Sequence, residues 1–383
     1  MTTDAEKARA FLWELQSQVA RASGLRHTRD GAGWKELLIE TGRRMPGVPE
    51  EELEHIVELA MAPGERWPPR GPDEPPGGYW LIHSLADRLE KSFPASFARP
   101  VIGLLATGEI NAVTLLAPGS KTHIVAFESE LLTFTGLFGT AVALAMPHER
   151  NGGDKATFSV DIDKVRRHVR NSPEAVRRFR DVVLAYLLQG RPSLAPEYLP
   201  PQVTRAMGSV LQNGMELFVL GHEYGHVMAE HVSDRKSPRR MLGTGDVDVT
   251  EVAWKWEQEA VADLIGWNLC LGAMGEDYGP SLPHAGVELF FSACEVLERA
   301  VPLLVTGGIA PRSAISTHPP TDVRRRVVRE HAEERLGEGA APLLQLGTAI
   351  QEIVDVLWEQ TAPVILDLHR QGVVPDARWT ANH

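Results

Sequence analysis

Phe218-Val219-Leu220-Gly221-His222-Glu223-Tyr224-Gly225-His226-Val227-Met228-Ala229-Glu230-His231 is the stretch on which the reading of this chain turns. His222, Glu223 and His226 form an H-E-x-x-H motif. On a helix, residues four apart leave the same face one turn apart, so the two imidazoles project side by side. Nitrogens held like that can take two corners of a zinc tetrahedron, with Glu223 beside the metal to accept a proton from its water. The flanks are helical in pattern. Leu217, Leu220, Tyr224 and Val227 recur at alternating spacings of three and four, a stripe for the core, and the spacing predicts one long helix from Gln202 to Val232.

Two histidines leave the site short of a ligand. Residues 256–267, Trp-Glu-Gln-Glu-Ala-Val-Ala-Asp-Leu-Ile-Gly-Trp, predict a second helix, placed over Thr250–Leu271, with Glu259 and Asp263 one turn apart on one face. Acidic pairs of this kind usually line a solvated face. With H-E-x-x-H upstream, Glu259 is read instead as the third ligand, giving a His2Glu set with one position open to water, the arrangement of a catalytic zinc. Asp263 is then placed to accept a hydrogen bond from the far nitrogen of a zinc histidine and fix its tautomer. Glu257 is also available, but only Glu259 stands four residues before Asp263 among small neighbours, Ala260 and Ala262.

H-E-Y-G-H-V-x-x-x-H followed by E-A-V-A-D resembles the M48 peptidases, zinc endopeptidases of the gluzincin type. Ile110-Asn111-Ala112 with Ile124 to Leu132 is similar to that family's N-A-x…I-x-V-x-x-x-L-L edge-strand hairpin, and Ser316-Thr317-His318-Pro319-Pro320 with Arg324 is similar to its S-T-H-P-P-x-x-x-R segment. The four matches stand in the family's order over roughly residues 105–330. The resemblance implies a zincin-like fold with the active-site helix beneath the edge strand, where substrate backbone adds as a further strand. It also places His318 at the site. Held on an extended turn before two prolines, that histidine is suited to hydrogen-bond the oxyanion of a tetrahedral intermediate. The bland alternative is a histidine that caps or packs, with Arg324 paired to a nearby acid.

The rest of the chain bounds these expectations. With 383 residues, 43% of them hydrophobic, it can bury a large core. A net charge of −12 argues against nucleic acid or anionic lipid as the main partner. The first twenty residues carry Asp4, Glu6 and Glu14 and lack the apolar core of a signal peptide. Leu131–Met146 is uncharged but short, and reads as a core helix rather than a membrane span. Cys270 and Cys294, both in apolar helical context, read as two buried thiols in a reducing compartment, with a disulfide the alternative. Together these point to a cytoplasmic protein without stable membrane insertion.

Along the chain, residues 4–62 read as two or three amphipathic helices, including Trp34–Arg44 and Glu50–Met61. Pro63–Gly78 is too rich in proline and glycine for regular structure and reads as a linker or surface loop, after which Tyr79–Lys91 resumes as helix. Strands are expected at Val101–Leu105, Ala112–Leu116 and Thr122–Phe127, with a turn at Ala117-Pro118-Gly119-Ser120. The arginines of 161–189 read as a solvated helix face, and Ser172-Pro173 as a helix start with Ser172 capping. Ser233–Val249 is expected to be a loop near the metal and a candidate lid. Trp254, Trp256 and Trp267 are expected in the core. Gly272–His284 is expected to break the helical pattern, an apolar helix without chemistry to follow over Ala285–Val301, and two helices at Asp322–Arg335 and Pro342–Arg370 to cover the core.

The reading is therefore mainly α with a small β-sheet (α+β), divided as an N-terminal helical region 1–100, a peptidase core 101–330 and C-terminal helices 331–383. One Zn²⁺ per chain is expected on His222, His226 and Glu259, with Glu223 as general base, Asp263 behind a zinc histidine, and His318 or a tyrosine at the oxyanion. The substrate would be a peptide or protein. The residues alone imply metal-assisted hydrolysis; endopeptidase action comes from the resemblance. Two alternatives stand beside it: a processing protease dedicated to one precursor or partner, and a zinc-stabilised module that binds peptide without cutting.

Overall fold

The computed structural model describes residues 3–22, 67–91, 97–150, 156–229, 256–308 and 319–379, scattered positions between 35 and 58, Phe93, and the backbone of 239–242 and 247–250. Most of the expected helices at 34–44 and 50–61, most of the 233–249 loop, Trp254 and His318 lie outside the described residues. What is described is mostly helix with a small sheet, and it groups into two compact units. One comprises residues 1–132, 197–199 and 232–253; the other comprises 133–196, 200–231 and 254–383. No described helix is long and apolar enough to cross a membrane.

In the first unit, α1 (Asp4–Ala22) and α2 (Pro76–Glu90) accompany a three-stranded sheet of β1 (Val101–Leu105), β2 (Ala112–Leu116) and β3 (His123–Glu128). The order is β1-β3-β2: β3 is central, parallel to β1 and antiparallel to β2. The expected turn joins β2 to β3. Gly119 takes φ 69° there and Ser120 N–H donates to Ala117 O at 3.1 Å. Ala8, Leu12, Leu15 and Val19 repeat at helical spacing along α1 and pack on Val101, Leu105, Val113, Leu115 and Ile124.

The described part of the proline-rich segment is tied down rather than draped. Buried Glu74 accepts from the backbone N–H of Leu104 at 2.7 Å and of Gly71 at 3.3 Å. Helix α2 also starts three residues earlier than expected, because Pro76 occupies its first position, where a missing N–H costs nothing.

The second unit is helical. It begins within α3 (Ser129–Ala145), the expected core helix, and continues through a ribbon of β4 (His148–Arg150) and β5 (Ala156–Phe158), α4 (Ile162–Arg170) and α5 (Pro173–Gln189). Ser172 precedes α5 but does not cap it; its hydroxyl donates back to His168 O at 2.8 Å. The arginines of α4 are exposed, and several on α4 and α5 pair with acids, Arg166 with Glu352 and Arg177 and Arg178 with Glu174.

At the centre of this unit lies α6 (Gln202–Met228), with α7 (Trp256–Tyr278) and α8 (Ser281–Thr306) packed on it, α9 (Thr321–Leu336) on α7 and α8, and α10 (Ala341–Arg370) on α8. From Gly214 to His226, α6 is buried on every side, so the expected single apolar stripe is a helix enclosed all round. Gly272 and Gly275 do not end α7: a Cβ at either would touch nothing, and the helix runs on to Gly279, whose φ of 66° and N–H to Gly275 O make the stop. Helix α8 consequently begins at Ser281 and carries Pro302 within its last turn. Trp267 is fully buried, whereas Trp256, expected in the core, is 54% exposed. Both cysteines are free thiols, Cys270 buried and Cys294 partly so. Residues 233–249, read as loop throughout, include part of a two-stranded ribbon, β6 (Arg239–Leu242) with β7 (Val247–Thr250).

Candidate metal centre

The site exists because two helices meet with nothing between their backbones. Gly221 and Gly225 of α6 face Ala262 and Gly266 of α7. A Cβ on Gly225 would stand 2.8 Å from Ala262 Cα, and one on Gly266 would stand 2.7 Å from the backbone nitrogen of His222. A second seam of the same kind joins α6 to α8, where a Cβ on Gly286 would lie 2.6 Å from Gly214 Cα. Small residues one turn apart on both helices therefore bring the carboxylates of α7 within reach of the imidazoles of α6. That pattern was available in the sequence, as glycines and alanines at i, i+4 on both helices, and it is what a reading centred on ligands passes over.

Three donors converge there. His222 Nε2 lies 3.1 Å from His226 Nε2 and 3.5 Å from Glu259 Oε2, and His226 Nε2 lies 3.4 Å from Glu259 Oε1. All three residues are buried, and their ligand atoms fall within 4.8 Å of one another. A tetrahedral metal with bonds of about 2.0–2.1 Å spaces its ligands roughly 3.3 Å apart. The donor set fits a metal ion in both geometry and chemistry. Glu257, the competing acid, is exposed, while Glu259 is fully buried.

Asp263 settles which histidine nitrogen faces that point. Its Oδ1 lies 2.8 Å from His222 Nδ1, and a carboxylate can only accept, so Nδ1 carries the hydrogen and Nε2 keeps its lone pair. Behind it stands Arg324 of α9, whose Nε and Nη2 donate to Asp263 Oδ2 and Oδ1 at 2.8 and 2.7 Å. The guanidinium also lies 5.6 Å from the centre of the Phe291 ring. Burial alone would raise the Asp263 carboxyl, but the charge and fork of Arg324, aided by His222, hold it well below the usual carboxylate range. For His222, burial disfavours the charged ring, yet Asp263 and Glu259 outweigh it and raise the imidazole above its ordinary value. Burial pushes Glu259 up to about 7 against the pull of His222 and Arg324.

Glu223 is buried on α6, one residue beyond His222, and its charge is felt by Glu259. The structure thus brings together four of the expected residues, His222, His226, Glu259 and Asp263, with Glu223 adjoining; His318 is outside the described residues.

Helix α8, read as free of chemistry, holds a buried charge cluster. Trp267 Nε1 donates to His284 Nδ1 at 3.0 Å, leaving His284 Nε2 toward Glu288 at 3.3 Å. Arg329 forks onto the same carboxylate at 2.6 and 2.9 Å. Burial would raise Glu288, but His284 and Arg329 bring it down to about 2. These groups bind one another, clamping α8 to α7 and α9. No family model, curated protein or solved structure matches the chain.

Proposed function

We propose that this chain is a zinc-dependent endopeptidase of the M48 kind, with a zincin-like arrangement of its metal helices. The observation that carries the reading is the convergence of His222, His226 and Glu259 with Asp263 locking the tautomer of His222. A structural site has no need of a buried base beside its ligands, and Glu223 is that base. Zinc on these three residues would supply a Lewis acid that polarises a carbonyl and brings the pKa of a water into the neutral range.

The chain's own residues supply the rest. The Glu223 carboxylate takes the proton of the attacking water and hands it to the leaving amine. Asp263 and Arg324 keep the His222 ring from rotating or changing tautomer. The donor to the developing oxyanion would be His318, on the resemblance alone, or a tyrosine. That the scissile bond is a peptide bond rests on the resemblance described above.

Metal content tests the site first. The wild-type chain should hold about one zinc, and His226→Ala should lose it. Glu223→Gln should retain zinc while hydrolysis of an unfolded protein substrate falls by two or more orders of magnitude, the scale of a lost general base and its water. No zinc in the wild type after reconstitution would remove the peptidase reading altogether. Zinc retained with no cleavage across a broad peptide library would favour a dedicated processing enzyme or a non-cutting module instead.

A further inference from the structure

A cavity of about 180 Å³ opens in the first unit, between α1, α2 and the segment that enters β1. It is smaller than the roughly 300–1,000 Å³ of a drug-sized pocket, so it suits a ligand of about one ring. One part of its wall is apolar and flat, from Leu12, Trp13, Tyr79 and Ile102. Another part carries cationic and polar groups, Arg9, His83 and Arg99.

Those polar groups have donors to spare. Arg99 uses Nε on Glu90 at 3.1 Å and Nη1 on Asp87 at 3.5 Å, while its Nη2 is buried without a hydrogen-bond partner among the described residues. Arg9 forms no hydrogen bond or ion pair with any described residue. His83 is 2% exposed, and its Nδ1 is buried without a partner. Its ring is held in place by Trp67 stacked at 5.5 Å and Tyr79 at 4.4 Å. Burial, assisted by Arg99, lowers His83 to about 4, so the ring is neutral and Nδ1 is free to give or take a hydrogen bond. The acid on this wall is already engaged: both oxygens of Glu74 accept backbone N–H groups, and burial raises its carboxyl to about 7. Buried N–H groups without acceptors are costly, and two guanidiniums beside an apolar wall select an anion with an apolar body.

We propose that this cavity is a binding site for a small carboxylate with an apolar body, with Arg9 and Arg99 as its anion contacts and Trp13 and Tyr79 as its walls. The site is independent of the metal centre and of the peptidase reading.

The test is calorimetric titration of the full chain at pH 6 with sodium benzoate and with its neutral counterpart, benzamide. Benzoate should bind with a dissociation constant on the order of a millimolar or tighter. Benzamide should bind at least about tenfold more weakly, and Arg9→Gln and Arg99→Gln should each weaken benzoate by roughly tenfold. No benzoate binding to the wild type, equal binding of the amide, or unchanged affinity in Arg9→Gln would overturn the proposal. Arg99→Gln also loses its pairs with Asp87 and Glu90; should it not fold, Arg9→Gln, which has no partner to lose among the described residues, decides the matter.

Discussion

Asp263 is gripped from two sides, by the imidazole of His222 and by the fork of Arg324, and each contact makes the other more useful. The guanidinium keeps the carboxylate ionised in a buried place, and the ionised carboxylate in turn fixes the His222 hydrogen on Nδ1. On the proposed reading, Arg324 is a positioning residue that would act on a bound metal through Asp263 and His222. Arg324→Gln should lower zinc affinity about 10–100-fold in a chelator competition, with Arg324→Lys recovering part of it through a single contact. The melting temperature of the metal-free protein should fall as well, because Asp263 loses a buried charge partner. Unchanged zinc affinity in a folded Arg324→Gln protein would rule out this role. The residues on α6 and α7 were legible because spacing along one helix dictates which side chains share a face. The partnership of Arg324 with Asp263 was not, since it depends on how α9 packs; the sequence marked Arg324 as the arginine of the S-T-H-P-P segment and, in the bland alternative, as paired to an unnamed nearby acid.

At the level of elements, the same residue type means opposite things depending on what faces it. Gly225 and Gly266 sit where α6 and α7 touch backbone to backbone, whereas Gly272 lies exposed on α7 with nothing within 4 Å. Composition alone made Gly272 and Gly275 look like the end of a helix; in the structure they cost only propensity, about 1 kcal/mol each, which packing of the long helix outweighs. Two substitutions separate these cases. Gly266→Ala should destabilise the chain by about 1–3 kcal/mol and reduce zinc retention, because the added methyl forces α7 off the His222 backbone. Gly272→Ala should stabilise by about 0.5–1 kcal/mol and leave zinc retention alone. Equal and small effects of both in thermal melts would contradict the close helix seam.

At the level of the whole molecule, both units keep an acid in the interior whose burial outweighs the groups that would hold it ionised. Glu216 of α6 is 1% exposed and takes its hydrogen bonds from neutral groups, Thr135 at 2.9 Å and Gln212 at 2.8 Å. Burial raises it to about 7, and Glu74 in the first unit is raised to the same value. Such polar residues are hard to foresee from a sequence, because an acid on an amphipathic helix is normally assigned to the solvent side. Glu216 was hidden by the stripe reading of α6, just as the enclosure of that helix was. A carboxyl whose folded pKa exceeds its unfolded one binds its proton more tightly when folded, so its stabilising contribution is complete below the unfolded value near 4.5 and is lost as pH rises through 7. Glu288 runs the other way: lowered to about 2, it contributes above 4.5 and is lost as pH falls toward 2. Stability should therefore decline from mildly acidic pH toward pH 8 as well as in strong acid. Glu216→Gln isolates one part of this. It should be close to neutral in urea unfolding at pH 4, where Glu216 is protonated in the folded chain and largely so in the unfolded one, and stabilising by about 1–3 kcal/mol at pH 8, where ionisation of the buried acid is otherwise costly. An effect of the same size at both pH values would show that Glu216 does not carry the proton this burial assigns to it.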